Sequence, residues 1–453
     1  MRIRKTPATL AGCAAVAGAL VVAALVAIPS SAQATPASTH YTGTLADGAT
    51  WIADVPANWN GTLILFSHGF GPLTAQDAYD PTSAAQLEAE GYALTGSSYD
   101  PHGSQWALNS AVQDQFATLT AFSRTVRAPG RTISTGESMG GLINSLIAQN
   151  GDGRIAGAVT LCGLVAGAVD LTDYQLNGEY ALTTLLAGAS GVQLRDFASA
   201  TAAQDSGKTL AQAVSGAQST AAGRARIALA GALFNETDWA TGASAPAATD
   251  FAGQESQEAQ TLSGGELPFM LLAQYTIEQS AGGAPASNAG VDYGALLRSS
   301  PRYAQVNALY KEAGVNLDAD LKTLDAGAHY QSEGQARQNL ERTSTNTGNL
   351  PIPELTVHTI SDQLIPVQQE TTYAARVAAA GDANNLRQSY ADAIGHCNFT
   401  PADVVAAINT VVQRIDTGHW ADTAAASLNA LADTYSGLGG GNFLTYRPTT
   451  LVV

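Results

Sequence analysis

The chain has 453 residues, room for one large α/β domain with an insertion or for two domains, and 45% of it is apolar, so core size sets no limit. Lys and Arg number 21 against 38 Asp and Glu, a formal net charge of -17 at pH 7 that disfavours nucleic acid or an anionic membrane surface as partner. Only 13% of residues are charged, a composition that suits an exported protein.

The N-terminus reads as an address. Arg2, Arg4 and Lys5 precede an apolar run over 11–28, and Ala32-Gln33-Ala34 is a small-x-small cleavage site. These features predict a signal peptide over 1–34, a mature chain from Thr35, a secreted extracellular protein, and no stable membrane anchor after cleavage. Leu10-Ala11-Gly12-Cys13 is similar to a lipoprotein box, but its apolar run follows the cysteine, where a lipidation signal needs it before. A retained anchor is the remaining reading. Removal of the signal leaves Cys162 and Cys397. In an oxidising compartment they either pair or stay as two buried thiols. A bridge would close a loop of about 235 residues, for which chain entropy gives about 5 kcal/mol.

Along the mature chain, 50–54 alternates like a strand and 56–61 reads as a turn. Residues 62–66, Thr-Leu-Ile-Leu-Phe, form the continuous apolar run of a central strand covered on both faces, ending in Ser67-His68-Gly69-Phe70. A helix over 82–91, a strand over 92–98 and a loop through Tyr99, Asp100 and His102 follow. A helix over 106–126 carries Val112, Phe116, Leu119, Phe122 and Val126 at helical spacing. Residues 131–135 are β-branched enough for a strand, and Leu142, Ile143, Leu146 and Ile147 recur as in a helix. Between them stands Gly136-Glu137-Ser138-Met139-Gly140. A strand over 155–161 ends at Cys162-Gly163. This alternation predicts a parallel sheet with helices on both faces and a ligand site at the carboxyl ends of its strands.

From 164 to 349 the pattern changes to Ala-, Gln- and Leu-rich helical stretches, among them 180–186, 221–233, 267–279 and 302–313. Strand and helix alternation then resumes with a strand over 353–360, the loop Ser361-Asp362, a helix over 367–380, a strand over 386–390, the loop Asp392 to Cys397 and a helix over 401–415. The tail, 419–453, has a glycine-rich turn at 437–441 and no predicted place.

G-x-S-x-G alone arises by chance in such a chain with odds of about one in three, so its setting must carry the argument. Strand, sharp turn and helix are what a nucleophile elbow requires: the turn strains the serine backbone, and glycines are needed where a Cβ would strike the neighbouring strand or helix. With the His-Gly loop before it and the Asp and His loops after the insertion, the chain resembles the α/β-hydrolase superfamily. The resemblance covers about 50–415 without the insertion. It implies a core of 35–163 and 350–453 and a helical cap over 164–349.

It also implies roles. Ser138 is the expected nucleophile, His396 its base and Asp362 the group that orients His396, in the chain order this fold uses. Asp392 and Asp382 compete with Asp362 for the last role. Phe70, after His-Gly, and Met139, at the start of the elbow helix, are the expected oxyanion donors, Met139 aided by the helix dipole. His68 precedes the serine, the wrong order for the base, and is expected to support its loop. Glu137 is assigned no chemistry, and Tyr99, Asp100 and Trp106 stand where they could line the pocket, with packing the preferred reading. The pair His396-Cys397 resembles tannases and feruloyl esterases, in which a cysteine beside the nucleophile bridges to the one after the histidine. Glu137 stands in that cysteine's place, which leaves Cys162 as the partner.

No H-E-x-x-H, paired C-x-x-C or P-loop occurs, so no metal or other cofactor is expected. The expected protein is a secreted serine hydrolase acting on a small-molecule or polymer-derived carboxylic ester. An amidase or aminopeptidase is the alternative, and a secreted binding protein that has lost catalysis is a third reading.

Overall fold

The computed structural model describes residues 37–453 apart from 152 and 243; the signal peptide and cleavage site expected over 1–34 lie outside the described residues. The first half of the core runs β1 (Ser38–Thr44), β2 (Thr50–Pro56), β3 (Thr62–Ser67), α1 (Pro81–Ala89), β4 (Ala93–Ser97), α2 (Ala111–Thr125), β5 (Arg131–Glu137), α3 (Met139–Gln149) and β6 (Gly157–Leu161). A helical insertion follows, with α4 (Ala168–Leu185), α5 (Ala200–Ala217), α6 (Ala221–Phe234), α7 (Phe251–Thr261), α8 (Leu267–Ala281), α9 (Tyr293–Ser299), α10 (Tyr303–Ala313), α11 (Leu317–Gly327) and α12 (Gly334–Ser344). The core resumes with β7 (Glu354–Ser361), α13 (Gln369–Ala380), β8 (Leu386–Ile394), α14 (Pro401–Thr417), α15 (Ala425–Ala432) and β9 (Phe443–Leu444).

The described strands form one sheet in the order β1-β2-β4-β3-β5-β6-β7-β8-β9. From β4 to β8 all pairings are parallel, and β1 to β2, β2 to β4 and β8 to β9 are antiparallel. Successive side chains of a strand point to opposite faces. Leu63 and Leu65 therefore join Leu119, Phe122, Leu142 and Ile143 of α2 and α3 in one core, while Ile64 joins Leu87 of α1 and Val404, Val405 and Ile408 of α14 in another. All of β3 is buried, which is why its sequence carries no polar alternation.

Every residue of α3 is buried, so its polar side chains must find partners inside the protein. Asn144 donates to the Val159 carbonyl (3.0 Å) and to Thr160 Oγ1 (2.8 Å). Asn346, where the insertion returns, donates to Ser145 Oγ (2.9 Å) and the Val165 carbonyl (2.9 Å). The insertion also has an apolar cluster of its own, including Leu182, Leu210, Ile227, Leu271 and Leu324.

The structure differs from the sequence reading in several places, one being that β8 runs on to Ile394, so that Asp392 stands in the strand and not in the loop expected to begin with it. The helix expected over 106–126 is a short 3-10 turn, Ala107–Asn109, followed by α2. The stretch expected over 180–186 is the end of the longer α4. The tail acquires a place: Phe443–Leu444 extends the sheet beyond β8, and its last residues reach the insertion. There Asn235, in the left-handed conformation after α6 (φ 60°, ψ 32°), donates to the Val452 carbonyl (2.8 Å) and accepts from the Val452 N–H (2.7 Å).

A disulfide joins Cys162, just after β6, to Cys397, just after β8, with Cα atoms 5.3 Å apart. Both cysteines have positive φ, 43° and 54°.

Two measurements check these links. Mature protein, denatured without reductant, should leave Cys162 and Cys397 unalkylated, and intact mass should fall into line with two thiols only after reduction; two reactive thiols at the outset would contradict the bridge. Asn235→Ala loses both bonds to Val452 and an αL-tolerant residue, so urea unfolding should report a loss of about 2–4 kcal/mol. Asn235→Gly, which keeps the backbone conformation, should lose about 1 kcal/mol less.

Candidate active site

Ser138 lies between β5 and α3 with φ 56° and ψ -124°, a conformation non-glycine residues rarely hold. The flanking glycines permit it. A Cβ on Gly140 would lie 2.0 Å from the Ser67 carbonyl oxygen, one on Gly136 2.1 Å from the Gly140 carbonyl oxygen, and one on Gly141 2.6 Å from Gly163 Cα. Backbone thus touches backbone on three sides of the turn. The Ser138 N–H donates to the Leu161 carbonyl (3.0 Å), which ties the turn to β6.

The structure brings the three residues expected from different loops into one line. Ser138 Oγ lies 2.7 Å from His396 Nε2, and His396 Nδ1 lies 2.7 Å from Asp362 Oδ2. Asp362 follows β7, whose pairing with β8 shifts register between Thr359 and Ser361. Its other oxygen, Oδ1, accepts from the N–H groups of Leu364 (3.0 Å) and Ile365 (2.8 Å). Burial would raise this carboxyl, but the His396 ring, and then His358, hold it well below the usual carboxylate range. The competing aspartates lie elsewhere: Asp392 is exposed, and Asp382 accepts from the Leu350 N–H (2.8 Å).

His68 is buried and its Nδ1 faces its neighbour's carbonyl, Gly69 O, at 2.8 Å. Its ring stacks on Tyr99 at 4.2 Å between centroids, and Tyr99 Oη donates to the His68 carbonyl (3.0 Å). Burial lowers the His68 pKa. The histidine and the tyrosine therefore brace the loop that carries Gly69 and Phe70, and Gly69 packs beside Ser138, where an added Cβ would come within 3.3 Å of Ser138 Cβ. Met139 is the first residue of α3, so its N–H is one of those that a helix start leaves without an intrahelical partner. Asp100 instead accepts from the His102 N–H (2.8 Å), within its own loop.

Two spaces flank the line. Phe70, Trp106, Ser138, Met139, Phe269 and Leu364 are among the walls of a narrow apolar cavity of about 30 Å³. A wider cleft of about 430 Å³ is bounded by His396, Gln363, Glu266, Thr241 and, from the other side, Phe269 and Leu364. Phe269, at the start of α8, stands between the two and meets Phe70 edge to face at 5.6 Å. Burial first, then the charge of Asp362, pushes the Glu266 carboxyl well above its ordinary range. Glu137, beside the nucleophile, is raised to about 7 by burial, with His396 opposing.

Nothing in the sequence pattern marks Phe269, Glu266 or His358. Phe269 sits in an apolar helical stretch whose period does not distinguish a residue over the site from one in the core of the insertion. Trp106, expected to pack, does so and also lines the cavity. Among the described residues, Cys162, His396 and Cys397 have ligand-type atoms within 4.8 Å of one another; their two sulfurs are bonded to each other and His396 faces Ser138.

No protein-family profile matches the chain. It is 28% identical over 430 residues to an o-phthalyl amidase of Xanthobacter agilis, which covers 88% of this chain and 92% of that one. Among solved structures it is similar to feruloyl esterase B from Aspergillus oryzae, with 13% identity, a TM-score of 0.42, and 85% and 81% of the two chains covered. An acylaminoacyl peptidase in complex with Z-Gly-Gly-Phe-chloromethyl ketone gives 11% identity and a TM-score of 0.41 over 88% of this chain, which spans 44% of the peptidase. Its parallel strand order, the strained serine between β5 and α3, and a serine, an aspartate and a histidine met in that order along the chain give this protein the α/β-hydrolase fold.

Proposed function

We propose that the protein is a serine hydrolase that transfers an acyl group to Ser138 and then to water. The observation that carries this reading is the hydrogen-bonded line from Ser138 through His396 to Asp362, with both links at 2.7 Å. With Nδ1–H donated to Asp362, His396 Nε2 is free to accept the Ser138 proton as Oγ attacks the acyl carbon. The attack forms the bond from Oγ to the acyl carbon and places negative charge on the carbonyl oxygen; as that oxyanion collapses the bond to the leaving group breaks, and the same nitrogen returns the proton to the departing nitrogen or oxygen. Water attacks the acyl-enzyme by the same route, giving a carboxylic acid and free Ser138. The N–H groups of Phe70 and Met139 are the donors assigned to the oxyanion, each worth about 3 kcal/mol in the transition state.

The leaving group must lie beside His396 to be protonated, which assigns it to the wider cleft. The narrow apolar cavity beside Ser138 and Met139 then takes an uncharged acyl group. Sequence alone favours an ester. Likeness to an amidase along nearly the whole of both chains turns the preference to an amide, and ester hydrolysis is the second reading, supported by the pair His396-Cys397. Secretion after signal cleavage remains part of the proposal, on the features of residues 1–34.

Paired aryl amides and aryl esters with the same acyl group separate the two. Amide turnover that falls by about 10⁴-fold or more in Ser138→Ala is expected. Turnover of esters but of no amide would move the assignment back to the ester, and retention of activity in Ser138→Ala would overturn the serine mechanism. His396→Ala and Asp362→Asn should each lower kcat far more than they change KM, because both act on charge that develops only in the transition state.

A further inference from the structure

Behind the line of three residues lies a fourth ionisable side chain that no step of the mechanism uses. His358, in β7, is fully buried. Its Nε2 faces the Ile365 carbonyl at 2.9 Å, so this nitrogen must carry a hydrogen, because a carbonyl oxygen can only accept. Its Nδ1 faces Glu370 Oε1 at 3.1 Å, so one proton lies between ring and carboxyl. Two features favour the ring as its owner. Glu370 Oε2 already accepts from Thr356 Oγ1 and Gln388 Nε2, both at 2.6 Å, so that oxygen has no place for a hydrogen of its own. On the ring's other side, Asp362 Oδ2 lies 3.6 Å from Nε2.

We propose that His358 is a buried, permanently charged imidazolium that positions Asp362 and sets its charge, as a fourth functional residue behind Ser138, His396 and Asp362. The inference rests on the serine hydrolase reading. Its positioning action follows a closed path: His358 Nε2–H holds the Ile365 carbonyl, and the Ile365 N–H holds Asp362 Oδ1 at 2.8 Å. Its electrostatic action follows from the order of charges. Glu370, His358, Asp362 and His396 alternate negative, positive, negative and, once His396 has taken the serine proton, positive. The chain of four is then neutral, whereas without His358 two buried carboxylates would face a single cation. The groups that face this assembly are Glu354 of β7, Tyr373 of α13 and Tyr390 of β8 on the Glu370 side, and Tyr174 and Glu266 on the Asp362 side; burial pushes each of them up. Burial works against charge on His358, yet Asp362 and Glu370 outweigh it and raise the ring to about 10.

The charge is tested directly in Ser138→Ala protein labelled with 15N-histidine, where His358 should show both ring nitrogens protonated and unchanged from pH 5 to 9. A singly protonated ring, or one that titrates in that interval, would overturn the inference and leave the serine mechanism standing. The functional arm uses the pH profile of kcat/KM. His358→Gln removes a cation beside Asp362 and should move the acid limb up by about one pH unit, with KM little changed. Glu370→Gln removes an anion beyond it and should move the limb down. Covalent labelling of Ser138 by a fluorophosphonate confirms that each variant is folded; absence of labelling in the unsubstituted protein would instead strike at the serine hydrolase reading. Limbs that stay in place in both folded variants, or that move in the same direction, would contradict the proposal, since damage to packing has no reason to shift them oppositely.

Discussion

The geometry of the site depends on one close approach, that of the start of α3 to the end of β3. Gly140 lies so near the Ser67 and His68 carbonyls that a methyl group there would sit 2.0 and 2.6 Å from their oxygens. With helix and strand in backbone contact, Ser138 has nowhere to be except the strained turn between β5 and α3, next to Gly69 of the loop that leaves β3. The strain is held on the other side by β6, through the Ser138 N–H and the Leu161 carbonyl. Of the six non-glycine residues with positive φ among the described residues, four gather around this point: Tyr99 behind the β3 loop, Ser138 itself, and the two bridged cysteines; Asp196 and Asn235 lie in the insertion. Tyr99 is fixed by burial, the cysteines by their bond and Ser138 by backbone contacts, which is how a fold sustains conformations that cost of order 1–3 kcal/mol each.

The disulfide extends the same constraint to the histidine. Cys397 is the neighbour of His396 and is bound to Cys162 at the end of β6, so the histidine loop is anchored to the strand beside the elbow. Asp362 is fixed from its own loop by the N–H groups of Leu364 and Ile365 and from the strand before it by His358. Electrostatics then divides the carboxyl groups of this region. Burial pushes Glu236 and Glu266 up, with Glu266 acting on Glu236 and Asp362 on Glu266, whereas the two histidines keep Asp362 ionised. Burial in the insertion thereby removes negative charge near the site and leaves Asp362 as the anion that His396 meets.

What the sequence made legible were the elements whose physics is local. The run 62–66, apolar after Thr62, reads as a strand with both faces covered, and the glycines around Ser138 mark backbone contacts that any other side chain would block. The loops of Asp362 and His396 were legible because each follows a strand pattern. Less legible was whatever depends on distant partners. Helix α6 is buried on nearly all sides, so Ala221–Phe234 lacks the polar face that would have shown its orientation. Two residues, Phe443–Leu444, are too few to show a period, and the tail's grip on Asn235 joins positions 217 apart. His358 looks like any residue of a short strand until Glu370 and Asp362, from the helix and loop after it, are placed on its two nitrogens.

The central claim is that Ser138 carries the acyl group between attack and hydrolysis. It is tested most directly by mixing the protein with an activated aryl ester, stopping the reaction with acid within milliseconds to seconds, and mapping the adduct by peptide mass spectrometry. The account predicts one acyl group per chain on the peptide that contains Ser138, formed in a burst with release of the phenol. Steady product release with no adduct in the unsubstituted protein, or an adduct on another residue, would contradict it.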